Sequence, residues 1–141
     1  MNKSGPIIVI EDDEDDQFLF KEVFEKLNYH NHVIFFKDGL EALEQLRTTE
    51  VRPFLILSDV NMPKLNGLEL HRKLKTDADL NLKCIPYLFF STSVEQQAVM
   101  EAYSASVQGF FVKQNSIQGL EKVISSIMNY WQLCTTPNSF G

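Results

Sequence analysis

At 141 residues the chain is one ordinary domain, long enough to bury a real hydrophobic core. A hydrophobic fraction of 44% and an aromatic fraction of 11%, led by Phe, argue against disorder. The formal net charge of −6 argues against nucleic-acid binding, which needs a basic footprint, and the lone early lysine with its short apolar run reads as neither a signal peptide nor a membrane span. Cys84 and Cys134 match no metal spacing and read as idle thiols, so the expected compartment is a reduced cytoplasm.

The first predicted strand, "PIIVI" over 6–10, runs straight into six acids, Glu11 to Asp16. Asp13 to Asp16 fit a helix N-terminus, where carboxylates cap free N–H groups and meet the positive end of the dipole. Glu11 and Asp12, at the strand end, are left over. Phe20, Val23, Phe24 and Leu27 follow helical spacing, and "HVIFF" over 32–36 forms the next strand. His30 and His32 would share a face only if that strand starts early. Leu40, Leu43 and Leu46 mark a second helix, and "FLILS" over 54–58 a third strand that ends at Asp59. Gly67 serves a backbone need, and His71 reads as a helix-surface residue. "IPYLFF" over 85–90 ends in the hydroxyls of Ser91, Thr92 and Ser93, of which Thr92 or Ser93 is expected to cap the fourth helix. That helix carries Ala98, Val99, Ala102 and Tyr103. "GFFV" over 109–112 ends at Lys113. Ile117, Leu120, Val123, Ile124, Ile127, Met128 and Trp131 then trace one apolar stripe. The domain is expected to span 1–133, with 134–141 a loosely ordered tail.

Strands that are nearly continuous apolar runs fit burial on both faces, as in a parallel sheet. Five strands, each followed by a helix, predict a single doubly wound (βα)5 α/β domain of flavodoxin-like type, in the common strand order 2-1-3-4-5. Ligands of such sheets bind beyond the carboxyl ends of the strands. Glu11, Asp12, Asp59, Ser91 and Lys113 all stand at such ends. Three carboxylates together either raise a pKa or recruit a cation, and hard oxygen ligands with open positions suit Mg²⁺. One carboxylate can then act as a nucleophile towards phosphorus, with a lysine and a hydroxyl holding the phosphoryl oxygens. The chain lacks a Gly-rich phosphate loop, which argues against a nucleotide.

"VIEDD", "LSDVNMPKLNG", "PYLFFSTS" and "GFFVK" occur in that order along the chain. Together they resemble the receiver domain of bacterial two-component response regulators. The resemblance implies that Asp59 is the phosphoacceptor. It assigns Glu11, Asp12, Asp59 and the backbone carbonyl of Asn61 to Mg²⁺, Ser91 to the hydroxyl position, Lys113 to the phosphoryl-binding lysine, and Phe110 to the switch aromatic. Glu11 stands where Asp is commoner, Ser91 where Thr is, and Phe110 where Tyr is, so a switch through a phenol is excluded. Gln114 follows the lysine where Pro is frequent. A non-Pro cis bond costs roughly 2.5–4 kcal/mol, so trans is expected there.

The function implied is a stand-alone response regulator, not an enzyme, phosphorylated by a histidine kinase or histidine phosphotransfer protein. Output would pass to a downstream protein through helix 4, strand 5 and helix 5. "KTDADLNLKCIP" and "NYW" further resemble a subgroup that works with phytochrome-type kinases and can form a homodimer. Two other readings stand beside this one. A small phosphohydrolase would want a second Asp at position 61, where Asn61 stands, and a degenerate receiver would serve only as a binding module.

Overall fold

The computed structural model describes residues 3–48, 50, 52–62, 64–77, 85–92 and 96–135. Five strands are present: β1 (Ile7–Ile10), β2 (Val33–Phe36), β3 (Leu55–Asp59), β4 (Tyr87–Ser91) and β5 (Gly109–Val112). The described helices are α1 (Glu14–Leu27), α2 (Gly39–Thr48), α3 (Gly67–Thr76), α4 (Gln96–Ser104) and α5 (Ile117–Leu133). Every strand pair is parallel and the order is β2-β1-β3-β4-β5, as the alternating pattern predicts. The chain reverses direction across the sheet between β1 and β3, which opens a crevice beyond their carboxyl ends.

Strand alternation divides the core into two layers. Ile7, Val9, Leu57, Leu88 and Phe90 meet Phe20, Val23 and Phe24 of α1 and Leu120, Ile124 and Ile127 of α5. Ile8, Ile10, Ile56, Tyr87 and Phe89 meet Ala42, Leu43 and Leu46 of α2, Leu70 of α3 and Ala102 of α4. Each fully buried aliphatic or aromatic side chain contributes roughly 1.5–3 kcal/mol, so the three inner strands anchor the domain.

The outer strands depart from the expectation of burial on both faces. Ile34 in β2 is 38% exposed and Val112 in β5 is 46% exposed. Both strands are sheet edges with one neighbour each, and the helices cover them incompletely. Three residues assigned to apolar stripes also turn outward: Leu40, Tyr103 and Ile117 are exposed, while Ala42 takes the core position in α2. His71 corrects the reading in the other direction. It is buried on the inner face of α3, with its ring edge-on to Tyr87 at 5.0 Å. Burial, then Lys75 and Arg72, push its pKa below the ordinary value, so the ring is neutral.

The expected trans Lys113–Gln114 bond agrees with the absence of any cis peptide among the described residues. Ser93, Cys84 and residues 136–141 of the expected tail lie outside the described residues. Among those described, no helix is long and apolar enough to cross a membrane.

Candidate functional site

Glu11 follows β1 directly, and its N–H donates to Phe36 O at 3.0 Å, extending the strand pairing by one residue. That bond fixes its side chain at the crevice, where it is buried. Glu11 Oε2 accepts from the Asp13 N–H at 3.2 Å. Asp13 in turn caps α1 by accepting from the Asp16 N–H at 3.0 Å, with Glu14, Asp15 and Asp16 filling the first turn. The later acids therefore start a helix, as their positions predict, while Glu11 and Asp12 face the site.

Asp59 closes β3 and is buried. Its Oδ1 accepts from the Asn61 N–H at 3.3 Å, so the chain turns back over the carboxylate immediately. Carboxylate oxygens of Glu11, Asp12 and Asp59 all lie within 4.8 Å of one another; Glu11 and Asp59 are buried, and Asp12 is exposed. Gly67 explains how α3 comes so close behind them. A Cβ there would sit 2.4 Å from Asp59 O and 2.7 Å from a ring carbon of Phe89. The backbone need expected of Gly67 is thus one of space.

Lys113 leaves β5 one residue beyond its end, with its N–H donating to Ser91 O at 2.9 Å. This bond ties the ends of β4 and β5 together and sets Ser91, itself buried, beside the lysine backbone. The Lys113 ammonium lies 2.5 Å from Glu11 Oε1, 2.9 Å from Asp16 Oδ2 and 3.1 Å from Asp59 Oδ2. Phe110 is half-buried on the α2–α3–α4 face of the sheet, 6.1 Å between centroids from Phe89 in an edge-on contact.

The charges do not balance, since one ammonium serves several carboxylates. Burial alone would lower the pKa of Lys113, but hydrogen bonds from its ammonium to Glu11 and Asp16 outweigh that and raise it, so the amine stays charged. Burial pushes the Glu11 carboxyl up, and Asp59 adds to this, while Lys113 offsets only part. The rise of Lys113 depends on ionised partners, whereas the rise of Glu11 favours its neutral form. Contact at 2.5 Å argues that the ammonium–carboxylate pair forms, with an upward direction remaining for Glu11.

The hard oxygen donors fit a divalent cation, and a buried carboxyl held above its ordinary range is a group whose ionisation such a cation would favour. The structure therefore brings Glu11, Asp12, Asp59 and Lys113 into one cluster, with Ser91 at its edge. His30 and His32 are exposed and precede β2, apart from the carboxylate cluster. Asp16 is the site residue that reading the sequence missed. Its helix-start role accounted for the acid, and only its position four residues after Asp12 hinted that it shares the crevice.

The family model of the response regulator receiver domain matches residues 7–125. Response regulator Rcp1 of Synechocystis sp. is 31% identical over 135 residues, covering 92% of this chain and 90% of its own. The structure of the phosphorylated cyanobacterial phytochrome response regulator RcpA superposes with a TM-score of 0.82 at 29% identity, covering 94% of this chain and 96% of that one. The Mn²⁺-bound form of Rcp1 superposes with a TM-score of 0.79 at 30% identity, covering 94% and 97%.

Proposed function

The chain belongs to the response regulator receiver domain family, and from that premise we propose that Asp59 is its phosphoacceptor and that the acidic pocket takes Mg²⁺. The observation that carries this reading is the meeting of Glu11, Asp12 and Asp59 within 4.8 Å, with the Lys113 ammonium 3.1 Å from Asp59. A phosphodonor supplies the incoming group. An oxygen of Asp59 attacks phosphorus, and the donor's P–N or P–O bond breaks with its electron pair leaving on the donor. Lys113 and Ser91 then hold phosphoryl oxygens, and the Asn61 N–H fixes the orientation of the Asp59 carboxylate.

Glu11, Asp12 and Asp59, with the backbone carbonyl of Asn61, would hold the Mg²⁺. When bound, the ion supplies charge neutralisation at the phosphoryl oxygens. The likeness to the Mn²⁺-bound form of Rcp1 supports a divalent ion, and choosing Mg²⁺ follows the hard oxygen donor set. The likeness to phytochrome response regulators supports a histidine kinase of phytochrome type as donor, with signalling rather than turnover as the purpose.

Incubation with acetyl phosphate and Mg²⁺ tests this directly. The protein should gain one base-labile phosphoryl group by intact mass, and Asp59→Asn should gain none. A base-stable phosphoserine at Ser91, or an unchanged adduct in Asp59→Asn, would remove Asp59 from the role.

A further inference from the structure

The function above leaves one carboxylate at the site without a part. Asp16 lies 2.9 Å from Lys113 Nζ, inside the 3.1 Å separation of Asp59 from the same atom. Helix capping does not account for this contact, because Asp13 supplies the cap and uses only the Asp16 N–H. The Asp16 side chain remains available for the ammonium. The Lys113 stem shares a narrow apolar crevice with Leu19, Phe20, Phe90 and Leu120, and its side chain is only 10% exposed. Lysine and acid are therefore held at the rim of the crevice from two different elements, α1 and the end of β5.

We propose that Asp16 is a positioning residue that tethers Lys113 beside Asp59 and so shortens the life of the aspartyl phosphate. The proposal rests on the reading of Asp59 as phosphoacceptor. Once Asp59 is phosphorylated, its carboxylate charge moves out onto the phosphoryl oxygens, and the ammonium would follow that charge. Asp16 stays fixed in the first turn of α1 and keeps the ammonium close to the acyl oxygen while it also meets the phosphoryl group. In hydrolysis a water oxygen attacks phosphorus, the bond from phosphorus to the Asp59 oxygen breaks, and its electron pair leaves on the carboxylate. The products are inorganic phosphate and free Asp59, with the water proton passing to phosphate or solvent. In a loose transition state negative charge builds on that departing oxygen, beside a tethered Lys113. This tethered contact speeds the loss of the group.

The experiment charges the wild-type protein, Asp16→Asn and Asp16→Glu with acetyl phosphate and Mg²⁺, removes the donor, and follows the adduct by intact mass. Asp16→Asn keeps the shape and loses the charge, and its adduct should last about two- to fivefold longer, the size of one partly exposed charge contact. Asp16→Glu should return towards the wild-type lifetime. In a Lys113→Gln background, Asp16→Asn should add no further change, which a merely structural role would not predict. Asp16→Ser serves as a second uncharged variant should the first misfold. An unchanged or shortened lifetime in the folded uncharged variants overturns the proposal, as does an equal lengthening without Lys113. A wild-type protein that takes no phosphoryl group fells the phosphoacceptor reading and this one with it, whereas a charged wild type with an indifferent Asp16 fells this one alone.

Discussion

A carboxyl as buried as that of Glu11 is costly to ionise, and one ammonium shared with Asp16 and Asp59 offsets only part of that cost. With its pKa raised from an ordinary 4.5, folded Glu11 keeps its proton to a higher pH than the unfolded chain does. Its contribution to stability is therefore full below about pH 4.5 and is lost as pH rises through the folded value. A divalent cation needs the ionised form, so the stabilisation added by Mg²⁺ should grow as pH rises over the same range. Thermal unfolding with Mg²⁺ or a chelator, at about pH 5 and about pH 8, measures this as the difference in midpoint. His71 works in the opposite sense, since its lowered pKa takes stability away as pH falls below 6.5, and subtracting the chelated curve removes that background. An Mg²⁺ increment equal at both pH values, or one unaffected by Glu11→Gln, would contradict the assignment. Glu11, Asp12, Asp59 and Lys113 were legible because each stands at the end of an apolar run, where no packing role explains a charge. Asp16 was not legible, because a helix-start acid has a sufficient local explanation and only the fold shows its second partner.

At the scale of an element, α3 depends closely on a single small residue. Gly67 lets the first turn of α3 rest against the Asp59 carbonyl and the Phe89 ring, while Tyr87 Oη donates to Gly67 O at 3.2 Å. Further along the helix, Leu70 and His71 pack on the same face of the sheet. No Gly is at positive φ among the described residues, so an added methyl is a problem of volume. Gly67→Ala should cost about 1–3 kcal/mol, the usual range for overpacking against a tight backbone. It should also slow phosphorylation, because relief of the clash moves the backbone that carries Asp59. Urea unfolding and the rate of adduct formation check the two effects separately. Stability and rate both near wild type would show that the helix can shift without disturbing the site. The strands were readable from apolar runs, and their order from the strand–helix alternation, for which 2-1-3-4-5 is a common arrangement. The exposure of Ile34 and Val112 was not, because an apolar run reports the chemistry of its residues and not how many neighbours the strand has. His71 was misread for a related reason: counted as polar, it fell off the apolar stripe, although its neutral ring packs edge-on like an aromatic.

At the scale of the whole molecule, the question is how a change at one end of the sheet reaches a surface that a partner can touch. Ser91 and Phe89 lie on the same side of β4, and Phe89 is in register with Phe110 of β5. Phe110 already meets the Phe89 ring edge-on and remains half-buried, so it has surface left to bury by moving inward. Met100 and Tyr103 of α4, Val112 of β5 and Ile117 of α5 also expose apolar area. If phosphorylation draws Ser91 towards the phosphoryl oxygens, volume opens behind it, and Phe110 should turn inward to fill that volume. Without a phenolic hydroxyl, only dispersion and burial favour the inward state, so the expected response is a shift of populations. Amide shift mapping with and without beryllofluoride should then show changes along α4 and β5 as well as in the loops around Asp59. In Phe110→Ala the loop changes should persist, because the Phe110 ring packs on Phe89 and is not part of the carboxylate–lysine cluster, while those in α4 and β5 shrink. Silence in α4 and β5 in the wild-type protein would rule this route out. Equal changes there in Phe110→Ala would show that the coupling runs through the backbone bond from Lys113 to Ser91 instead.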